Sequence, residues 1–420
     1  MNSEKSPPLA RIRGKIQQIK AAHQARHTPT GYEIAIADRI DQLNPVLWDA
    51  AAVAGGFHLR RSYLRVLEEH GPENLCPVYA LITEDGKPIA AVAAQWLEFD
   101  GKRVAKLSAE ESSAGGKRVI VKEKLLKPVG RKMRQHLRQR VLVCGNVLSW
   151  GHHGVSFAAG VSDAWPAVGE ALYRMRRAAK LDGQTDFVVI KDQTPAQADC
   201  FPQLKALGYR CLDTEPNMVL ALDPGWMGID DYEAALAAKY RKSAKQIRDG
   251  VSKAGFVVER LTEIGKHASR IHELYQEVHH NAPVRLATLP EEFWAAFSGC
   301  AGGDLRCSII RRGDEIVGFV NTVRDGDTAI GYQIGFDRMA ATEASIYLRL
   351  LQATIDDAIA FGCQRLSLGR TALEPKARLG AKPETMQIWL RHRIPAINWL
   401  VKGIVGHVPH ADPPERNPFK

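Results

Sequence analysis

At 420 residues, with 45% hydrophobic and 25% charged content, the chain is too long for one typical core and suits two globular domains. A formal charge of +10 and a pI near 9.2 fit an anionic partner: a phosphorylated cofactor, a nucleotide-linked substrate, RNA or a membrane surface. They fit a solvated basic surface equally well. No run of about 18 apolar residues is present. The first 30 residues carry Arg11, Arg13, Lys15, Lys20 and Arg26 without an apolar h-region, so neither a transmembrane helix nor a secretory signal is expected. The seven cysteines (Cys76, Cys144, Cys200, Cys211, Cys300, Cys307 and Cys363) form no CxxC pair, which predicts reduced thiols, no metal site and a cytoplasmic location.

Residues 1–30 read as a basic tail. From Tyr32 the pattern becomes structured, with a short alternating strand from Glu33 and helices near 45–54 and 61–70. Two apolar runs around Asp85-Gly86 predict a hairpin. Residues 101–138 read as a basic excursion, and a strand near 141–148 resumes the sheet. It runs into a glycine-bounded loop, 145–154, which contains His152 and His153. A helix over 164–180, a buried strand from Asp186, a helix over 195–207 and a strand at 217–222 complete a first lobe, 31–222.

The second lobe, 223–392, opens on a turn at Asp223-Pro-Gly and a basic helix over 232–254. A strand from Phe256, helices over 265–279 and 290–298, a hairpin across 305–322 and a strand over 327–336 follow. A helix over 342–361, the strand 365–369 and the charged stretch 370–382 come next. The two halves repeat in pattern, which places two α/β lobes side by side with a cleft between them. Residues 393–420 form a C-terminal extension in which basic residues flank apolar ones around Trp399. Packing against the domain, or a weak contact with a membrane surface, is expected there.

In an open α/β sheet ligands sit outside the carboxyl ends of strands, which directs attention to the segment after Gly369. There, Leu368-Gly-Arg-Thr-Ala-Leu-Glu-Pro-Lys376 and Leu379-Gly-Ala-Lys-Pro383 resemble a recurrent motif of the GNAT acyltransferase superfamily. The similarity is to its tandem branch, which includes the Fem-type peptidoglycan aminoacyltransferases and uncharacterised relatives. The basic helix Ala237-Ala-Lys-Tyr-Arg-Lys-Ser-Ala-Lys-Gln-Ile-Arg248 and the duplicated lobes fit the same branch. The resemblance is specific over about 220–392 and one of pattern over 30–220. It implies an α/β (α+β) mixed-sheet fold in two tandem GNAT-like lobes. It also implies transfer of an acyl group to an amine or hydroxyl from a thioester (acyl-CoA) or an aminoacyl-tRNA, with no permanently bound cofactor. The expected partners are a small-molecule acceptor and, on the second reading, tRNA; DNA is not expected.

The chain departs from the plain GNAT pattern after Phe336, where Asp337-Arg-Met-Ala-Ala-Thr-Glu343 lacks the glycines of a pyrophosphate loop. A helix N-terminus there, with Arg338 and Thr342, is the candidate phosphate contact. Arg370 can meet a carboxylate or phosphate bidentately, with Thr371 and Lys376 beside it. Glu374 is the candidate for orienting an attacking amine or removing its proton, against the alternative of a local Arg–Glu–Lys salt-bridge cluster. Tyr332 could protonate a leaving group, while Gln333 must face the other side of the same strand. His153 is the loop residue placed toward substrate. Arg241, Lys245 and Arg248 share one helical stripe flanked by Lys242, a docking surface for tRNA or another anion, or else a solvated face. Three functions remain: a thioester-dependent acyltransferase, a Fem-type aminoacyl-tRNA-dependent transferase, and a non-catalytic GNAT-like module binding an anionic ligand.

Overall fold

The computed structural model of the chain describes residues 28–100, 138–398 and 414–420, apart from positions 163, 283, 284, 396 and 415, together with isolated positions 17 and 24. Most of the basic tail, the basic excursion up to residue 137, and Trp399 lie outside the described residues.

The first sheet contains β1 (Glu33–Ala37), β2 (Leu75–Glu84), β3 (Lys87–Asp100), β4 (Arg138–Cys144), β5 (Val155–Phe157), β6 (Thr185–Gln193) and β7 (Arg210–Asp213). The second contains β8 (Asn217–Ala221), β9 (Val257–Leu261), β10 (Leu305–Arg312), β11 (Glu315–Asp325), β12 (Thr328–Phe336), β13 (Arg365–Ser367) and β14 (Lys382–Glu384). The last strand, β15 (Gln387–His392), returns to the first sheet. The strand orders are β1-β2-β3-β4-β6-β15-β7 and β14-β8-β13-β12-β11-β10-β9, with β5 on β3. Read from β1 and from β9 the two sheets have one plan: four antiparallel strands, one parallel pair (β4/β6 and β12/β13), then two more antiparallel strands. The repeat legible in the sequence is therefore a repeat of two GNAT-like lobes.

The sixth strand of each sheet comes from the other half of the chain. The reading of Asn217–Leu222 as the end of the first lobe is corrected: β8 pairs with β13 and β14, while β15 inserts between β6 and β7. A boundary at 222/223 therefore does not separate the two sheets. The two crossing connections run side by side, with Thr214 donating both N–H and hydroxyl to the Met386 carbonyl at 3.0 Å. Backbone pairing requires only an extended partner of matching length, so a short apolar strand does not reveal which sheet it joins.

Local signals were reliable where they were complete. Asp85 and Gly86 both have positive φ (49° and 74°), as a two-residue hairpin turn requires, and Glu84 pairs with Lys87. Two predicted helices are interrupted. The basic helix divides into Ile229–Ala235 and Ala238–Lys253 at an extended Leu236, and the 342–361 helix into Ala340–Glu343 and Ile346–Ala360 at an extended Ala344.

The lobes share one core. Trp48, Phe57 and Tyr63 from the first lobe pack in the same cluster as Phe293, Trp294 and Phe297 from the second. Beneath the second sheet, Asp357 is 5% exposed and accepts hydrogen bonds from Ser308 Oγ (2.9 Å) and Thr322 Oγ1 (3.2 Å). Burial pushes its carboxyl up to about 6. The folded protein thus holds this proton more tightly than the unfolded chain, and the stability so gained is lost as pH rises from about 4 through 6. Asp357→Asn is expected to raise stability by roughly 2 kcal/mol at pH 8 and by much less near pH 4.5, measured by denaturant titration at both pH values.

Candidate active site

The parallel pair β12/β13 ends where its two strands part. Thr328, Ala329 and Ile330 pair with Arg365, Leu366 and Ser367, and β12 bulges at Tyr332, which lies opposite the Asn321–Thr322 step of β11. The last matched pair, Ile330 and Ser367, opens onto a cleft of about 450 Å³ between the lobes. Val219, Asn217, Asp325 and Arg365 line it from the second sheet, and Trp150 and His153 line it from the 145–154 loop of the first lobe.

That loop is seated on the second sheet by a chain of hydrogen bonds. Trp150 Nε1 donates to Ser367 Oγ (2.9 Å), Ser367 donates to Asn217 Oδ1 (3.1 Å), and the Gly369 N–H donates to the same oxygen (3.0 Å). Gly369 has φ +81°, and a Cβ there would come within 2.9 Å of the Trp150 ring. Gly369→Ala therefore combines a left-handed backbone, about 1–2 kcal/mol for an L residue, with displacement of that ring. A loss of at least that much stability, with a shift in tryptophan fluorescence, is expected on denaturation.

Arg370 crosses to the other lobe. Its guanidinium is ion-paired with Asp192 at the end of β6, as is the Lys191 ammonium, which also donates to the Ser149 carbonyl at 2.6 Å. Asp192 additionally accepts the Gly151 N–H at 3.0 Å and is fully buried. Burial alone would raise its carboxyl, but Lys191 and Arg370 together hold it below the usual carboxylate range. Burial pulls the Lys191 ammonium down.

Deeper between the lobes lie His58, His153 and Asp325. Asp325 Oδ1 accepts the Phe57 N–H at 2.6 Å, and Oδ2 stands 3.7 Å from His58 Nδ1 and 3.8 Å from His153 Nδ1. A Cβ at Gly56, whose φ is +67°, would collide with this carboxylate. Burial pushes His153 well below the ordinary imidazole range, so it is neutral at pH 7. Adjacent to them Asn146 Nδ2 donates to the Tyr63 hydroxyl (2.7 Å), which is 2.6 Å from that of Tyr332. Burial raises both phenols.

The expected site residues separate into several environments. His153 is at the cleft and Arg370 anchors its wall, whereas Arg370, Glu374 and Lys376 do not meet. Glu374 is bound to Arg378 and Arg416 near the surface, each at 3.0 Å. Lys376 is buried beneath the Gly369 carbonyl at 3.2 Å, and burial lowers its ammonium to about 8. Neither the proton-removing role for Glu374 nor the alternative Arg–Glu–Lys cluster matches this arrangement. Thr371 is exposed. The expectation that Tyr332 and Gln333 face opposite sides is corrected by the bulge at Tyr332. Tyr332 packs in the shared core with Phe319 and Val323, and Gln333 meets Asn321, which lies between those two on β11, at 3.2 Å, so the pair shares one face.

Arg338 is exposed and its guanidinium contacts Asn281, while Thr342 donates to the Met339 carbonyl. The N–H groups of Met339 and Ala340, expected to be free for a phosphate, are taken by the Asp337 carboxylate at 2.7 and 3.0 Å. An anion cannot take those donors without displacing a like charge. Along the basic helix, Arg248 pairs with Asp230 and Glu233 and Arg241 turns back to the Ala234 carbonyl, leaving Lys242 and Lys245 exposed.

Asp192, His58, Asp325 and Asn217 were not singled out from the sequence. Asp192 was accessible to the strand-end rule that found Arg370, since it closes the apolar run Phe187-Val-Val-Ile190. Asp325 and His58 had no comparable signal, for they become neighbours only through the shared core.

Two GNAT-like lobes with a polar cleft where the parallel strands part define a tandem acyltransferase-type fold. Residues 238–377 match the family described as acetyltransferase (GNAT) domain, so the chain carries a GNAT domain in its second lobe. Two curated Mycobacterium tuberculosis sequences, from strains CDC 1551 / Oshkosh and H37Rv, are described as 8-amino-7-oxononanoate synthase 2. They are 27% identical to this chain over 223 residues, 50% of this chain and 28% of theirs. The match thus spans little more than a quarter of the length of these relatives. Among solved structures the chain is similar to FemX (10% identity, TM-score 0.46, 92% of this chain and 98% of that one). It is also similar to a tandem GNAT protein from the clavulanic acid biosynthesis pathway (13%, 0.45, 86% and 98%). A third likeness is to L-PGS from Bacillus licheniformis (14%, 0.42, 82% and 96%).

Proposed function

We propose that this protein transfers an acyl group from a thioester donor to the amine or hydroxyl of a small polar acceptor held in the interlobe cleft. The observation that carries the reading is that Ile330 and Ser367, the last pair before β12 and β13 part, form part of the cleft lining. A thioester entering between the separating strands would bring its carbonyl to the acceptor's side of the sheet. Arg365 and Glu384 at the mouth, with Asn217, Ser367 and His153 further in, suit an acceptor bearing charge or several hydrogen-bonding groups.

The acceptor's nitrogen or oxygen attacks the carbonyl, the C–S bond breaks, and the proton lost by the acceptor ends on the departing thiolate. No side chain of the protein becomes acylated. Positioning and charge stabilisation supply most of the rate, and the Asp192–Arg370–Lys191 cluster positions the loop that forms one wall.

A second reading is favoured by one feature. Asp337 occupies the helix start where a diphosphate would be gripped, while Lys242 and Lys245 stay exposed on the basic helix. Both features suit an aminoacyl-tRNA donor. The test is purified protein with a panel of acyl-CoA thioesters and polar amines or alcohols. Acceptor-dependent thiol release, matched by acylated acceptor in mass spectrometry and unaffected by ribonuclease, is expected. Activity seen only with aminoacyl-tRNA and abolished by ribonuclease would replace the thioester reading. Binding without turnover on either donor would leave a binding module.

A further inference from the structure

We infer that His58, His153 and Asp325 form a binding site for a divalent metal ion of the zinc class at the deep end of the interlobe cleft. One ligand atom from each of the three lies within 4.8 Å of the others. The Nδ1 atoms of His58 and His153 are 3.7 and 3.8 Å from the same Asp325 oxygen. Those separations are too long for hydrogen bonds. They lie close to the ligand–ligand edge of about 3.4 Å in a tetrahedral site with bonds near 2.1 Å. The three groups surround a common point without bonding one another.

The outward atoms of His153 and Asp325 are already held, as ligands of a metal need to be. His153 Nε2 is 3.0 Å from the Trp150 carbonyl, which places its proton there and leaves the Nδ1 lone pair facing Asp325. Asp325 Oδ1 is fixed by the Phe57 N–H, which leaves Oδ2 free. The absence of a side chain at Gly56 lets the carboxylate approach.

The independent observation is His58. It is 1% exposed, and neither of its ring nitrogens has a hydrogen-bond partner. A buried imidazole in that state is unusual, because buried polar groups are almost always paired. An ion at Nδ1 supplies the partner which that nitrogen lacks. The two ring centroids are 4.0 Å apart at a 30° tilt, and both Nδ1 atoms lie within 3.8 Å of one carboxylate oxygen. Two imidazoles and one carboxylate suit zinc and its neighbours rather than magnesium or calcium. Three protein ligands leave a coordination position, and His153 and Asp325 both line the cleft, so that position faces the space assigned to the acceptor. The ligands lie on a short helical turn, a loop and a strand end, so no ligand spacing exists in the sequence.

The test uses the full-length protein, without donor or acceptor, so its outcome is independent of the acyl-transfer reading. Chelator-treated protein is dialysed against zinc and, separately, cobalt. One equivalent of zinc per chain, ligand-field bands with cobalt and a zinc-dependent rise in Tm are expected. His153→Gln and Asp325→Asn should each weaken zinc binding at least about 10-fold and remove the Tm response. His58→Gln, which removes the orphaned ring, serves as a third variant should either of the others fail to fold. No zinc uptake by the wild type, or uptake unchanged in the folded variants, would overturn the assignment.

Discussion

Asp192→Ala is expected to destabilise the protein by about 3–5 kcal/mol, because it leaves two poorly solvated cations without their anion. Asp192 is fully buried, while the Lys191 and Arg370 side chains are only 15% and 22% exposed. A loss of that size is a large part of the roughly 5–15 kcal/mol that holds a typical domain folded. It differs from the loss of a surface ion pair, which is typically below about 1 kcal/mol. The Gly151 N–H would lose its acceptor as well, so the 145–154 loop and its seat on Ser367 should loosen together.

The mechanism also predicts a rescue. Lys191→Met and Arg370→Met, added to Asp192→Ala, remove the stranded charges and should recover most of the stability. Buried ion clusters replaced whole by apolar groups are often no less stable than the originals. Denaturant titration of the single and triple variants checks this. An Asp192→Ala loss within 1 kcal/mol of zero, or a triple variant worse than the single, would refute the account of the cluster.

Much of the architecture was legible because it is encoded locally. The Asp85-Gly86 turn, the amphipathic helix Arg61–His70 and the repeated order of elements each depend on residues close in the chain. The strand exchange was not legible, since β8 and β15 look the same whichever sheet receives them. The break at Leu236 was hidden by good helix formers on both sides; there the chain turns extended, and the Ala237 N–H is taken by the Pro418 carbonyl. Tertiary pairing overrode propensity.

The candidate site shows the same division. Arg370 and His153 stood out through a strand end and a glycine-bounded loop; His153 lines the cleft, and Arg370 pairs with the buried Asp192 that anchors its wall. Glu374 looked functional beside them in sequence, yet one turn of helix carries it to the surface, where Arg378 and Arg416 hold it. His58 meets Asp325 only because the two lobes share a core, and Asn217 reaches the cleft on the exchanged strand β8, so no local pattern contains them.

The central claim is that the acceptor occupies the interlobe cleft beside the parting of β12 and β13. Val219 lies on the donated strand β8, is partly exposed, and lines that cleft next to Ser367. A Trp at this position would project a large ring into a space of about 450 Å³ while leaving the strand pairing intact. Filling a preformed pocket removes acceptor binding and near-attack positioning together, so a fall of at least about 100-fold in kcat/KM for the acceptor is expected. The most direct measurement is acceptor-dependent acyl transfer by Val219→Trp beside the wild type, with Tm recorded for both. Loss of transfer at unchanged Tm is the predicted result. Wild-type kcat/KM in a folded Val219→Trp protein would place the acceptor elsewhere and contradict the account.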